Sequence, residues 1–257
     1  MHDKVFTQGV LIVGHGTTSA VGAEECRRVA AMAADLLPGH RVELGFLELI
    51  EPSIDEAVAA LATAGCREAV VVPILLFAAG HAMRDVPEAV LRAAEAHGIV
   101  VRQANVIGCH EAVVELARLR HREAVEGRPP AARTRIMVVG RGSSDPTAES
   151  QLRGFAESAF AEAADEPAAI GLGFVAAARP TLDEAIAAAA EGGEGRVVVH
   201  PHLLFHGHVE TQVAERVDRA RREHPSIDWV VVGRLGADRR VATAVAERAR
   251  EAIAGDG

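Results

Sequence analysis

Ile12-Val13-Gly14-His15-Gly16-Thr17-Thr18-Ser19 and Val138-Val139-Gly140-Arg141-Gly142-Ser143-Ser144-Asp145 are two copies of one turn. Each is an apolar run, a Gly-X-Gly step and a string of short polar side chains. The likeness continues outward. Phe46-Leu47-Glu48-Leu49-Ile50-Glu51-Pro52-Ser53-Ile54-Asp55-Glu56-Ala57 returns as Phe174-Val175-Ala176-Ala177-Ala178-Arg179-Pro180-Thr181-Leu182-Asp183-Glu184-Ala185, and Pro73-Ile74-Leu75-Leu76-Phe77 returns as Pro201-His202-Leu203-Leu204-Phe205. Gly14 and Gly140 lie 126 residues apart, and the other two blocks 128 apart. A period this long means two copies of a whole domain, not a solenoid of short units. Between the copies His15 becomes Arg141 and Glu48 becomes Ala176, which separates scaffold from chemistry.

Short apolar runs alternate with alanine-rich helical stretches in each copy. Residues 9–14, 41–47, 69–75 and 99–106 read as buried strands, and 20–37, 52–64, 81–97 and 110–126 as helices. The second copy gives strands near 134–140, 168–175, 196–204 and 227–233, with helices near 146–164, 180–191, 209–224 and 238–253. Ser53 with Glu56 forms a capping box, although Pro52 also suits a helix start. The proline pair in 127–131 marks the linker, so the expected domains are 1–127, carrying the site, and 133–257, with a degenerate one. The fold class is α/β: two tandem domains, each a four-stranded parallel sheet flanked by helices, with a cleft between them. Ligands of such sheets sit beyond the strands' carboxyl ends, where His15, Glu48 and the segment after Phe77 all fall.

Composition limits the function classes. The 257 residues carry 27 Lys+Arg against 36 Asp+Glu, a net charge of −9, which argues against nucleic acid or an anionic membrane as partner. No signal-peptide pattern or membrane-length apolar run is present, so the expected location is the cytoplasm. Cys26, Cys66 and Cys109 have no metal-ligand spacing and read as reduced core thiols.

The Gly14-His15-Gly16 turn lacks the third glycine of a dinucleotide fingerprint, where Ser19 stands, and no Gly-Lys-Ser/Thr follows it. The glycines instead leave His15 exposed beside Thr17 and Thr18. Taken alone, this is equally an anion-binding turn with an incidental histidine, and Glu48 alone is equally a solvated carboxylate. His81 closes Ala78-Ala79-Gly80, with Asp85 one turn on as a potential orienter of its ring. His15, Glu48 and His81 are spaced by 33 residues, one β–α unit each time. Two imidazoles and a carboxylate make a divalent-metal site with open positions, and the same groups accept protons.

The strings Val-Gly-His-Gly-Thr (13–17), Gly-Phe-Leu-Glu-Leu-Ile-Glu-Pro-Ser-Ile (45–54) and Val-Pro-Ile-Leu-Leu-Phe-Ala-Ala-Gly-His-Ala-Met-Arg-Asp-Val-Pro (72–87) resemble the class II chelatases, in particular the two-domain CbiX type of sirohydrochlorin chelatase. The resemblance implies ATP-independent insertion of a divalent metal, Co²⁺ first and Fe²⁺ next, into sirohydrochlorin on the way to cobalamin or sirohaem. It implies His15, Glu48 and His81 as catalytic and metal-binding residues. The tetrapyrrole is then the small-molecule partner, with no cofactor beyond the substrate metal. Metallation displaces two pyrrole protons, which imidazoles titrating near neutrality can accept. Arg84 and Arg141 are expected to meet the substrate's carboxylates, with Thr17 and Thr18 beside them, and Arg179 is a further candidate. Two copies supply both walls of the cleft, so a monomer suffices. The other readings are a non-catalytic tetrapyrrole or metal carrier and a phosphate-ligand enzyme. His200, His202, His206 and His208 stand around the second copy's third strand. They read as polar cleft-lining groups, with an auxiliary metal site as the alternative. A gap-free comparison sets Val209, not His208, opposite His81.

Overall fold

The computed structural model of the chain describes residues 7–77, 82–145, 147–161 and 169–255. The first repeat runs β1 (Gln8–Gly14), α1 (Ala20–Asp35), β2 (Arg41–Phe46), α2 (Ile54–Thr63), β3 (Glu68–Pro73), α3 (Ala82–His97), β4 (Val100–Gln103) and α4 (Glu111–Val125). The second runs β5 (Thr134–Gly140), α5 (Thr147–Phe160), β6 (Ala169–Phe174), α6 (Leu182–Glu191), β7 (Arg196–Pro201), α7 (His208–Glu223), β8 (Asp228–Val231) and α8 (Arg239–Ala254). Each repeat makes one parallel sheet, in the orders β2-β1-β3-β4 and β6-β5-β7-β8. Ile12 pairs with Leu44 on one side and Val72 on the other, and Val138 pairs with Leu172 and His200. The central strands β1 and β5 are buried on both faces, which is why Val10 to Val13 and Ile136 to Val139 are uninterrupted apolar runs.

Local signals set the helix starts. Ser53, not Pro52, caps α2: its hydroxyl accepts the Glu56 N–H at 3.2 Å while the Glu56 carboxylate accepts the Ser53 N–H at 2.7 Å. Thr181 and Glu184 repeat the device at α6. The edge strands β4 and β8 are four residues each, shorter than the apolar runs around them and than the opposite edges β2 and β6, which have six. Ala104 and Ile107 are buried as loop residues instead.

The compact units do not follow the repeat. One contains Met1–Gly108 together with Ala237–Gly257, and the other Cys109–Gly236. The expected division at 127/133 describes the duplication in sequence; in space each sheet takes one helix from the other repeat. In the first unit, α2 and α3 cover one sheet face, where Leu11, Val13 and Val71 meet Ile54, Leu61, Val86 and Val90. α8 packs beside α1 and against β3 on the other. Its seam is almost all alanine and valine (Val241, Ala242, Val245, Ala249, Ala252), which permits close approach. Arg102 of β4 donates to the Ala252 carbonyl at 2.9 Å, and Arg248 of α8 to the Val106 carbonyl at 3.1 Å.

In the second unit, α6 and α7 cover Met137, Val139, Val197 and Val199, while α5 and α4 cover the opposite face. The 127–131 segment is tied to this unit as well. Arg196 donates to the Pro129 carbonyl and to Asp228, both at 2.8 Å, and Arg128 reaches the same carboxylate at 3.1 Å. Cys26 and Cys66 are buried free thiols, and burial pushes Cys26 up to about 12 against the smaller opposing pull of Arg27. Cys109 departs from the core-thiol reading and is exposed, directly after the Gly108 turn where the chain passes from one unit to the other. Among the described residues no helix is long and apolar enough to cross a membrane.

Candidate functional site

Because β1 lies between β2 and β3, the loops leaving these three strands start side by side at the carboxyl edge of the first sheet. Hydrogen bonding past the strand ends holds the first two loops together. Leu47 N–H donates to the Gly14 carbonyl at 2.9 Å and Glu48 N–H to the His15 carbonyl at 3.2 Å. The approach is close enough to require a glycine. Gly16 has φ +99°, and a Cβ there would lie 1.9 Å from the Glu48 carbonyl oxygen.

The resulting pair is His15 Nε2 and Glu48 Oε1 at 3.5 Å, with side chains 42% and 54% exposed. That separation exceeds a good hydrogen bond, and both groups stay open to solvent, so each can turn to a third participant. Ser19 caps α1 through the Gly22 N–H, and its own N–H donates to Thr17 Oγ1 at 3.1 Å. Thr17 therefore shapes the turn, while Thr18 is exposed beside it. His81 lies outside the described residues. Its segment departs next to β1, where Ile74 N–H donates to the Val13 carbonyl at 2.9 Å, and α3 opens at the following residue. Arg84 is exposed and its Nε lies 3.4 Å from Asp85 Oδ1, so Asp85 has a partner other than His81.

The second repeat keeps this backbone and changes what it carries. Val175 N–H donates to the Gly140 carbonyl at 3.1 Å and Ala176 N–H to the Arg141 carbonyl at 2.9 Å. Gly142 has φ +92°, with a hypothetical Cβ 1.7 Å from the Ala176 carbonyl oxygen. Leu49 and Ala177 share left-handed φ values of 71° and 53°. Arg141, exposed, thus stands on the His15 turn, and Ala176 on the Glu48 turn. Arg179 is ion-paired with Glu184.

The helices correct the comparison at the third loop. Val86, Val90 and Ala93 of α3 fill the core positions that Val213, Val217 and Ala220 fill in α7, an offset of 127. One residue is missing after Phe205, so Gly207-His208 corresponds to Gly80-His81, and His208 rather than Val209 is the counterpart of His81. A helical packing register carries this information; a gap-free reading of the sequence does not.

The histidine density in the second repeat resolves differently from the expectation. His200 projects from β7 and His202 directly follows its last residue, but both are packed in the core, and each is 5% exposed. His200 stacks on His121 of α4 (centroids 5.1 Å apart, planes at 12°) and contacts Phe160 at 4.4 Å; His202 contacts Phe155 at 3.9 Å. His121 Nδ1 and His200 Nε2 are 2.9 Å apart, a bond in which one neutral ring donates and the other accepts. The His200 and His202 rings are therefore packed among aromatic side chains and nearly closed to solvent. His206 is half-buried and His208 exposed. Among the described residues no group of three or more His, Cys, Asp or Glu is placed to hold a metal ion.

Burial lowers all three ring pKa values. His202 falls to about 3, and His200 falls well below the usual range with added repulsion from His121 and His202. His121 falls through burial and the Arg122 charge. The unfolded chain binds protons at these rings below about pH 6.5, whereas in the folded chain His121 does so only at lower pH and His200 and His202 far lower still. The stability they carry is complete above pH 6.5 and is lost as pH falls toward 3. Thermal melts should therefore drop steeply between pH 6.5 and 4 in the wild type. His202→Leu should flatten that slope by roughly one proton's worth; an unchanged slope would show that the ring is already charged in the fold.

Comparison with known proteins follows the same division into repeats. The CbiX family profile matches residues 9–124 and again 135–252. A sirohydrochlorin cobaltochelatase of Priestia megaterium is 29% identical over 98% of this chain and 82% of its own length. A sirohydrochlorin ferrochelatase of Bacillus subtilis is 28% identical over 96% and 92%. The structure of SirB from Bacillus subtilis with Fe³⁺ superposes with a TM-score of 0.84 at 27% identity, covering 96% of each chain. With the profile matched twice, across nearly every element of both sheets, the chain belongs to the CbiX family.

Proposed function

We propose that this chain inserts a divalent metal, Co²⁺ before Fe²⁺, into sirohydrochlorin without ATP, in cobalamin or sirohaem synthesis. The observation that carries the reading is the His15–Glu48 pair, 3.5 Å apart at a sheet edge whose twin in the second repeat keeps the backbone but bears Arg141 and Ala176. The relatives' activities point the same way, and cobalt is ranked first because the relative spanning 98% of the chain is a cobaltochelatase.

In this reading His15, Glu48 and His81 hold the incoming ion in a site with open positions, where imidazole and carboxylate suit the late divalent metals. As the metal binds the four ring nitrogens, two pyrrole N–H bonds break and the two protons leave to these same side chains and then to water. Metal and macrocycle are both substrates, so no resident cofactor takes part. The test is to mix the full chain with sirohydrochlorin and Co²⁺ and follow the absorption spectrum. Many turnovers per chain are expected; a change that stops at one equivalent would leave the chain a carrier.

Arg141, and more weakly Arg84, are assigned to the substrate's carboxylates. Arg141→Ala should raise the apparent KM for the tetrapyrrole about two- to fivefold while leaving Co²⁺ affinity alone, the size expected for one solvent-exposed charge contact. An unchanged KM would remove Arg141 from the site.

A further inference from the structure

Leu49 is placed as no buried leucine would be. The residue is 63% exposed, and its φ of 71° lies in the left-handed region that leucine rarely occupies. Ile50 N–H donates across it to the Glu48 carbonyl at 2.9 Å, which makes Leu49 the centre of a tight γ-turn, a rare and strained form for a side-chain-bearing residue. The turn does not need a leucine. Its counterpart Ala177 holds the same left-handed conformation with a single methyl group. The repeat therefore loses two things together, the carboxylate of Glu48 and the bulk of Leu49, and keeps the backbone that carried both. Of the four large aliphatic side chains that the described residues leave exposed, Val21, Leu49, Leu91 and Val100, only Leu49 adjoins the His15–Glu48 pair along the chain.

We propose that Leu49 is a substrate-contact residue, its exposed side chain meeting the flat hydrocarbon surface of the tetrapyrrole beside the His15–Glu48 pair. This rests on the chelatase reading and deepens it, because the substrate has two chemistries to recognise. Its rim is anionic and suits arginine, whereas its ring is planar and apolar and gains nothing from charge. An aliphatic group next to the metal-bearing pair supplies the second contact and sets the height of the ring above it. The contact favours the macrocycle alone, so Leu49 acts on tetrapyrrole binding and not on metal binding.

The test uses the full chain with Leu49→Gly, which removes the side chain and suits the left-handed backbone, so its melting temperature should hold or rise. At saturating Co²⁺ the KM for sirohydrochlorin should rise about tenfold, a typical loss for one apolar contact. The KM for Co²⁺ should not move, and Leu49→Met should restore the tetrapyrrole KM. An unchanged KM in an active Leu49→Gly chain overturns the proposal, as does a rise in both KM values together. If the wild type shows no turnover, the chelatase reading fails on its own. Fluorescence titration with metal-free sirohydrochlorin then decides Leu49 separately: weaker binding by Leu49→Gly supports the contact, and equal affinity overturns it.

Discussion

His15→Ala should reduce turnover of sirohydrochlorin and Co²⁺ by at least about a hundredfold while leaving the melting temperature unchanged. The side chain is 42% exposed and its one described partner, Glu48, is 54% exposed, so the fold loses almost nothing when it goes. On the proposed function the reaction would lose a metal ligand and a proton acceptor at one stroke, and a positioned acid–base group alone is worth about 10²–10⁴ in rate. A sharper version is His15→Arg, which imports the residue the second repeat uses at the same turn. It keeps bulk and hydrogen-bonding capacity but adds a fixed positive charge where the proposed function puts a cation, so it should be at least as inactive as alanine. The measurement is initial rate by absorption, with Co²⁺ affinity by calorimetry. Near-normal turnover in His15→Ala would move the chemistry away from this edge altogether.

Gly16→Ala is expected to damage both stability and rate, and Gly142→Ala only the first. An added Cβ at Gly16 would sit 1.9 Å from the Glu48 carbonyl oxygen, on a backbone of φ +99°, so one of the two loops must move. The movement breaks the Glu48 N–H to His15 carbonyl bond and pulls the His15–Glu48 pair apart. A displacement of about 1 Å in such a constellation costs on the order of 10² in kcat/KM, and the steric and backbone strain about 2–4 kcal/mol of stability. Gly142 meets the same obstacle, the Ala176 carbonyl at 1.7 Å, but no His or Glu rides on that turn. Gly142→Ala should therefore melt lower by a similar amount with kcat kept within about threefold. Equal losses of kcat in the two variants would show that the first repeat's loops have no special role.

Much of this arrangement was legible in the chain. The duplicated turn, the alternation of apolar runs with alanine-rich stretches and the Ser53–Glu56 box set the order of elements, because each rests on neighbours within a few residues. What was not legible rests on residues far apart. α4 and α8 carry similar Val/Ala/Leu stripes, and a stripe says that a helix face is buried but not under which sheet. Alternation placed His200 and His202 on one face, yet only Phe155, Phe160 and His121, some 40 to 80 residues earlier, make that face a core. The match of His208 to His81 was hidden by one missing residue and emerged from where Val213 and Val217 pack. Leu49 gave no signal at all, since nothing in the string Leu-Glu-Leu tells an exposed left-handed residue from a strand end.

The shared helices also impose an order on biogenesis. Strands β1 to β4 leave the ribosome first, yet the sheet they form lacks α8 until residues 239–254 have been made. At ordinary translation speeds roughly 7–30 s separate Gly108 from Ala254. Throughout that interval the unit bearing His15 and Glu48 shows an uncovered valine-rich surface, while residues 109–236 can already close on themselves. The unit that carries His15 and Glu48 is thus begun before residues 109–236 and completed after them.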